Sequence, residues 1–123
     1  MKIGDKLYRY RFDLASGRKS MDIFEVAGIN IRGGWESLKC SSVKDGKIVK
    51  HGIYFCRKEF GKVKTKGSSK YVLLDHEGEE EALAIVYDYV SEMVASLQEK
   101  FDRLLSWKGT LEEWKEEDNG GES

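Results

Sequence analysis

The sequence has no proline, only two cysteines and no long apolar segment, and each absence excludes a class of protein. Cys40 and Cys56 are too few for a disulfide framework, so we expect reduced thiols. No apolar run approaches the roughly 20 residues that cross a bilayer, and the first residues contain no hydrophobic signal segment. We therefore expect a cytoplasmic protein without a membrane partner.

Motifs of catalysis and of metal binding are also missing. The only soft metal ligands are Cys40, Cys56, His51 and His76, and none has C-x-x-C or H-x-x-x-H spacing. No phosphate-binding glycine loop occurs, and no nucleophile is marked by a neighbouring base and acid. We predict no enzyme, no cofactor and no metal site. One arrangement stays open, in which Cys40 and Cys56 lie on adjacent strands and face one another.

The net charge of −1 hides two oppositely charged halves. Residues 1–70 carry 17 Lys and Arg against 7 Asp and Glu, a balance of +10. Residues 71–123 carry 4 against 15, a balance of −11. Charge governs encounter and solubility rather than fold, so this separation favours a binding or assembly role. The length predicts a single domain over residues 1–118.

The basic half, residues 1–75, has the pattern of an antiparallel sheet. Residues 7–14 alternate aromatic and charged side chains, which is typical of a half-buried strand. Asp45-Gly46 suits a type I′ hairpin turn, and the interior Gly28 predicts a bulge. We predict an α+β fold that begins with a β-meander of five or six strands, with an SH3-like half barrel as one form. The expected strands are 7–14, 21–31, 35–43, 53–57, 62–66 and 70–74.

The acidic half has the pattern of a long amphipathic helix over residues 76–108. Apolar residues recur at helical spacing from Leu83 to Trp107, and three glutamates fall in the first turn. Gly109 is typical of a helix end, and residues 110–113 match a capping box. The sequence therefore predicts a short second helix over residues 110–118 and a flexible tail over residues 119–123.

The apolar stripe of this helix is too long for the sheet to cover. About thirty helical residues span ~45 Å, whereas six strands at ~4.8 Å spacing span about 25 Å. The apolar residues of the stripe nearly follow the seven-residue repeat of a coiled coil, which is interrupted at Lys100 and Gly109. We therefore predict a homodimer or higher homo-oligomer through the helix. The expected interface residues are Met93, Leu97, Phe101, Leu104 and Trp107.

Two short stretches resemble small proteins encoded by phages and mobile elements. Residues 2–8, KIGDKLY, resemble their opening strand, K-x-G-D-x-hydrophobic-Tyr. Residues 71–74, followed by Glu-Glu-Ala at 80–82, resemble their last strand leading into a helix. The resemblance implies a β-meander before a helix and a phage accessory protein without catalytic residues. Several such proteins inhibit host defence systems, so the implied partner is a host protein.

Acidic side chains form the first candidate binding surface. Asp88 and Glu92 lie one turn apart, about 6 Å along the axis. Such a row imitates the phosphates of DNA and would occupy a host protein that handles nucleic acid, although a solvated helix face has the same pattern. The predicted partner-binding residues are Glu81, Asp88, Glu92, Glu99, Glu112 and Glu113.

Two alternatives remain open at the level of sequence. Basic residues of the sheet would bind nucleic acid directly, with Tyr54 or Trp35 stacking on bases. These basic residues are Arg9, Arg11, Arg57, Lys58, Lys62, Lys64 and Lys66. Aromatic residues would instead line a pocket that sequesters a nucleotide-like ligand, although such residues more often form a core. These aromatic residues are Tyr8, Tyr10, Phe12, Phe24, Tyr54 and Phe55.

Overall fold

The computed structural model describes residues 1–121, with side chains described for residues 1–118. The described part is α+β, a six-stranded antiparallel sheet followed by one long helix, which confirms the expected architecture. The strands are β1 (Lys6–Asp13), β2 (Arg18–Arg32), β3 (Trp35–Lys44), β4 (Lys47–Cys56), β5 (Lys64–Lys66) and β6 (Ser69–Leu74). The helix α1 spans Glu79–Gly121, and a 3₁₀ turn spans Arg57–Glu59.

The strand order is β4-β3-β2-β1-β6-β5. Strands β1 to β4 form a meander, and the β5–β6 hairpin adds to the free side of β1 because β6 pairs antiparallel with it. Strand β1 is therefore central, while β4 and β5 are the two edges of an open sheet. The short edge strand β5 alternates lysines, which discourages pairing with another chain.

Local sequence explains the two irregularities of the meander. Asp45 and Gly46 have φ of 54° and 74°, as a type I′ hairpin turn requires, so the predicted hairpin is confirmed. The register of β2 against β3 shifts between Val26 and Gly28, which confirms the predicted bulge. Because side chains alternate along a strand, the bulge changes which residues of β2 share a face.

The sheet buries residues on both of its faces. On one, the core face, lie the fully buried side chains of the main cluster. These residues are Leu7, Phe24, Val26, Leu38, Cys40 and Leu73. On the opposite face, the outer face, Tyr10 and Phe12 are buried beside Val72. The start of α1 is anchored there because the Gly78 N–H donates to the Tyr10 hydroxyl at 2.8 Å.

Helix α1 continues through Gly109, so the predicted helix end and the separate helix over 110–118 are wrong. Gly109 is not among the glycines with positive φ, and the Thr110 hydroxyl donates back to the Ser106 carbonyl at 3.2 Å instead of capping a new helix. A helical glycine costs only about 1 kcal/mol relative to alanine, which the flanking helix formers overcome. The predicted tail over 119–123 is helical through Gly121, and residues 122–123 lie outside the described residues.

The chain divides into two units, and the boundary falls inside α1. The sheet unit is Met1–Tyr87, and the helical unit begins at Asp88. The sequence predicted a single domain over residues 1–118, in which the sheet segment ends at residue 75. Ala82 and Val86, in the first turns of α1, are buried and belong with the sheet.

Candidate binding surfaces

The helical unit carries a continuous apolar seam. We define this apolar seam as Val90, Met93, Val94, Leu97, Phe101, Leu104, Trp107, Leu111 and Trp114. From Met93 onward each of these side chains is 45–60% exposed. All five residues predicted at the oligomer interface belong to the seam. Their exposure means that the helical unit, as far as its side chains are described, does not cover its own seam.

The spacing of the seam is that of a coiled coil. Val90, Leu97, Leu104 and Leu111 repeat every seven residues without exception, and Met93, Trp107 and Trp114 take the second apolar position of the heptad. A strict seven-residue repeat drifts by about 20° per heptad on a straight helix, and only supercoiling around another helix keeps it facing a partner. Lys100 occupies the second heptad position between Met93 and Trp107. It is the one charged residue among the heptad positions from Val90 to Trp114.

Acidic side chains line the opposite side of the helical unit. We define the acidic row as Asp88, Glu92 and Glu99, which lie within about 40° of one another at 100° per residue and roughly 140–180° from Leu97. All three are exposed. Glu99 contacts Arg103 at 3.5 Å. Among the described residues Asp88 and Glu92 have no ion pair, so their charges face solvent.

The other three predicted partner-binding residues do not belong equally to this row. Because α1 is continuous, Glu113 falls about 40° from the row, whereas Glu112 falls about 140° away, on the flank of the seam. Glu112 lies 3.9 Å from Lys108. Glu81 belongs to the sheet unit, where its carboxylate accepts from His76 Nε2. On the continuous helix, Glu112 therefore does not share the face of Asp88, Glu92 and Glu99.

His76 is held between two carboxylates where β6 leads into α1. Its Nδ1 lies 2.6 Å from Asp75, and its Nε2 contacts Glu81. The hydrogen bond to Asp75 and then the bond to Glu81 raise the pKa of His76 above 6.5. The same bond from His76, followed by Arg57 at 2.6 Å, lowers the pKa of Asp75. These contacts fasten the start of α1 to the sheet.

Four of the seven predicted nucleic-acid-binding residues are paired with carboxylates. Asp22 accepts from Arg9 at 2.8 Å and lies 3.7 Å from Arg11. Arg57 contacts Asp75 and Lys64 contacts Glu59 at 2.9 Å. Their positive charge is largely neutralised. Lys58, Lys62 and Lys66 are in no ion pair among the described residues.

Arg9 packs against aromatic rings on the core face of the sheet. Its guanidinium lies 5.1 Å from the centre of the Phe24 ring and 5.9 Å from that of Tyr71, and it is half-buried. The structure brings Arg9, Arg11 and Lys66 to one cleft of about 350 Å³. Two of these three cations share Asp22, so the cleft is a weak anion site.

The aromatic residues predicted to line one ligand pocket are separated. Phe24 and Phe55 pack edge to face on the core face with ring centres 4.9 Å apart. Tyr10 and Phe12 are buried on the outer face, and Tyr54 is 64% exposed. Alternation along the strands sends these rings to different faces, so the six residues do not line one common pocket.

The two cysteines lie on opposite faces of the sheet. Cys40 is opposite Ile53 and Cys56 is opposite Ser37 in a regular stretch of the β3–β4 ladder, so alternation separates their side chains. Burial raises the pKa of Cys40 to about 11, which makes it an unreactive thiol. In the part of the chain that the structure describes, no group of three or more His, Cys, Asp or Glu side chains could hold a metal ion.

Sequence reasoning missed a set of polar and basic residues beyond the bulge of β2. Asn30 and Arg32 face the same side as Lys39, because Asn30 is opposite Ser37 and Arg32 is opposite Trp35. Tyr54 joins them because it is opposite Lys39. The sequence signal that could have found them is the alternation of side chains along β2 after Gly28. This alternation has to be counted separately from that of the residues before the bulge.

Comparisons of the chain with protein-family models, with curated proteins and with solved structures found no match. Over the residues described, no helix has both the length and the apolarity needed to cross a membrane. The site is therefore defined by its own geometry.

Proposed function

We propose that this is a non-enzymatic binding protein that assembles through α1 and presents the acidic row to a basic surface of another protein. In keeping with the phage-type resemblance, the target is a host protein of the cytoplasm that handles nucleic acid, and the row occupies its nucleic-acid-binding surface. The observation that carries the proposal is the exposure of the apolar seam from Met93 onward on a helix whose other side carries the exposed carboxylates of Asp88 and Glu92, which are in no ion pair among the described residues.

The occupant of the seam is a second copy of this chain. Half-exposed leucine and tryptophan side chains over more than twenty residues favour association, because each buried side chain contributes roughly 1.5–3 kcal/mol. The heptad spacing of the seam favours a second helix with the same repeat as its partner, in preference to a flat protein surface. The same sequence supplies that helix in every copy.

Charge favours an antiparallel pair of helices. In a parallel pair the two Lys100 side chains meet at the centre, and Arg103 of one copy lies beside Lys108 of the other. Both contacts bring like charges together and destabilise the pair. An antiparallel pair places Lys100 against Leu97 and separates these cations.

Assembly leaves the acidic row accessible, since it lies about 160° from the seam. Aligned carboxylates without internal cations attract a basic protein surface and accelerate its encounter at low salt. Asp88 and Glu92 supply this field, and Glu113 extends it. The four ion-paired basic residues weaken the competing proposal that Arg9, Arg11, Arg57 and Lys64 bind nucleic acid.

The experiment compares the wild type with three double variants. The seam variant carries Leu97→Asp and Leu104→Asp, and the row variant carries Asp88→Lys and Glu92→Lys. The control for the row carries Glu77→Lys and Glu80→Lys, an equal charge change at two exposed carboxylates of the sheet unit that are also in no ion pair among the described residues. Native mass is measured by light scattering at micromolar concentration, and far-UV circular dichroism verifies the helix.

We expect a dimer or larger assembly for the wild type, the row variant and its control, and a monomer for the seam variant. A monomeric wild type contradicts assembly through the seam. For the row, each protein is immobilised, exposed to nuclease-treated bacterial lysate and eluted with short duplex DNA. We expect DNA-eluted proteins with the wild type and the control, and none with the row variant. Equal yield from the row variant rules out the acidic row as the target surface.

A further inference from the structure

We propose that the outer face of β2, β3 and β4 is a binding site for single-stranded nucleic acid. The site is built from two couples, each consisting of an exposed aromatic ring and a free cation on the neighbouring strand. Trp35 is directly opposite Arg32, and Tyr54 is directly opposite Lys39. This site is separate from the acidic row and from the basic residues predicted by sequence.

The rings are available for stacking. Tyr54 is 64% exposed and Trp35 is 50% exposed, although both residues belong to a sheet with a well-covered core. Residues directly opposite on an antiparallel pair have Cβ atoms about 5 Å apart, so each cation lies next to its ring. A base stacked on the ring would bring its phosphate within reach of the cation.

The two couples repeat along the sheet. Trp35 and Lys39 are four residues apart on β3, which places the couples roughly 13 Å from one another. An open groove of about 390 Å³ is lined by Arg32, Lys39 and Tyr54 of the two couples and by Asn30 and Ser37, which are paired with each other between the couples. Gly28, opposite Lys39, has no side chain to fill it. The groove leaves room for a nucleotide between the two stacked bases, and Asn30 offers an amide to it.

The charge of this region is uncompensated. Among the described residues Arg32 and Lys39 have no ion pair, unlike the four paired cations around β1, β5 and the 3₁₀ turn. The nearest carboxylate along β3, Glu36, alternates to the core face, where it binds the N-terminal ammonium at 3.1 Å. The nearest carboxylate of the outer face is Glu25, which is opposite Ser41 on the far side of Lys39, so between the two couples the described outer-face residues carry no negative charge.

Stacking selects single strands over duplexes. Bases in a duplex are stacked on one another and cannot lie on a protein ring, whereas unpaired bases can. Alternation of rings and cations without a buried polar pocket favours binding that tolerates many sequences. The chemistry thus points to unpaired DNA or RNA of mixed sequence.

The test measures binding of a fluorescein-labelled oligothymidylate of about ten nucleotides by anisotropy over a series of salt concentrations. The cation variant carries Arg32→Ala and Lys39→Ala. Its matched control, Lys58→Ala with Lys62→Ala, removes two exposed lysines that are also free of ion pairs but lie outside the site. Tyr54→Ala removes one ring, and Tyr54→Phe keeps it.

We expect the cation variant to bind at least about tenfold more weakly, with a salt dependence shallower by one to two phosphate contacts, and the control to bind like the wild type. Tyr54→Ala should weaken binding about 5- to 100-fold, and Tyr54→Phe should preserve it. The site is refuted by absence of binding at low salt, by equal losses in the cation variant and its control, or by tighter binding to the corresponding duplex. The row variant leaves this site intact, so its result is independent.

Discussion

The sheet unit and the helical unit use their apolar residues in opposite ways. Every hydrophobic side chain that the structure describes as buried lies at or before Val86. From Met93 onward the large apolar side chains of α1 are about half exposed. A sheet with a helix start on one face can cover its own side chains, whereas a single helix has no second layer. The sheet unit thus buries its own apolar side chains, whereas the described helical unit leaves its apolar seam about half exposed.

The largest expected change in the free energy of unfolding comes from comparing a leucine-to-alanine substitution in the sheet unit with one in the helical unit. Leu38→Ala empties a fully buried position of the core face and should lower the free energy of unfolding by about 2–5 kcal/mol at any protein concentration. Leu104→Ala, at a half-exposed position of the seam, should change it by less than about 0.5 kcal/mol when the protein is dilute.

Urea denaturation at low and at high protein concentration separates the two effects. Leu104→Ala should become destabilising only at the high concentration, where the seam is covered by a second copy. A large, concentration-independent loss for Leu104→Ala would mean that the seam is buried within one chain, and the contrast between the units would fail.

A smaller effect is expected at Gly109, where sequence and structure disagree. Because α1 continues through this glycine and a Cβ there would meet nothing within 4 Å, Gly109→Ala should stabilise the helix by about 0.5–1 kcal/mol. Thermal unfolding followed by far-UV circular dichroism measures the change. Gly46→Ala is the control, since φ of 74° strains any other residue and should destabilise the hairpin. Destabilisation by Gly109→Ala would restore the helix end there.

The smallest effect concerns the exposed contacts of His76 at the start of α1. Its pKa is raised above 6.5 by Asp75 and Glu81, so the protonated ring stabilises the folded state below the unfolded pKa. This contribution is lost as the pH rises through the folded pKa. The melting temperature of the wild type should therefore fall between about pH 6 and pH 9 by more than that of His76→Gln. Identical pH profiles would exclude His76 as the cause.

Local patterns in the sequence predicted the order and type of most elements. Alternation predicted β1, Asp45-Gly46 predicted the hairpin, and Gly28 predicted the bulge, because backbone conformation at these positions depends on near neighbours. The apolar stripe of α1 was equally legible. The end of α1 was not, since a glycine and a capping motif describe local preferences that a long helix overrides.

The candidate sites depended on information that local patterns lack. Clusters of lysine and arginine in the sequence do not show which cations meet a carboxylate, and Asp22 is distant along the chain from Arg9 and Arg11. The couples of Trp35 with Arg32 and of Tyr54 with Lys39 require the register of three strands. No spacing rule within one strand contains that register.

The sequence alone determined that this chain forms a basic sheet followed by an acidic, amphipathic helix, because side-chain periodicity and turn chemistry act over a few residues. Only the tertiary structure decided which charges are neutralised, which rings are buried and which face of the sheet stays open. Those outcomes depend on strand pairing between residues far apart in the chain, where one residue of register moves a side chain to the other face.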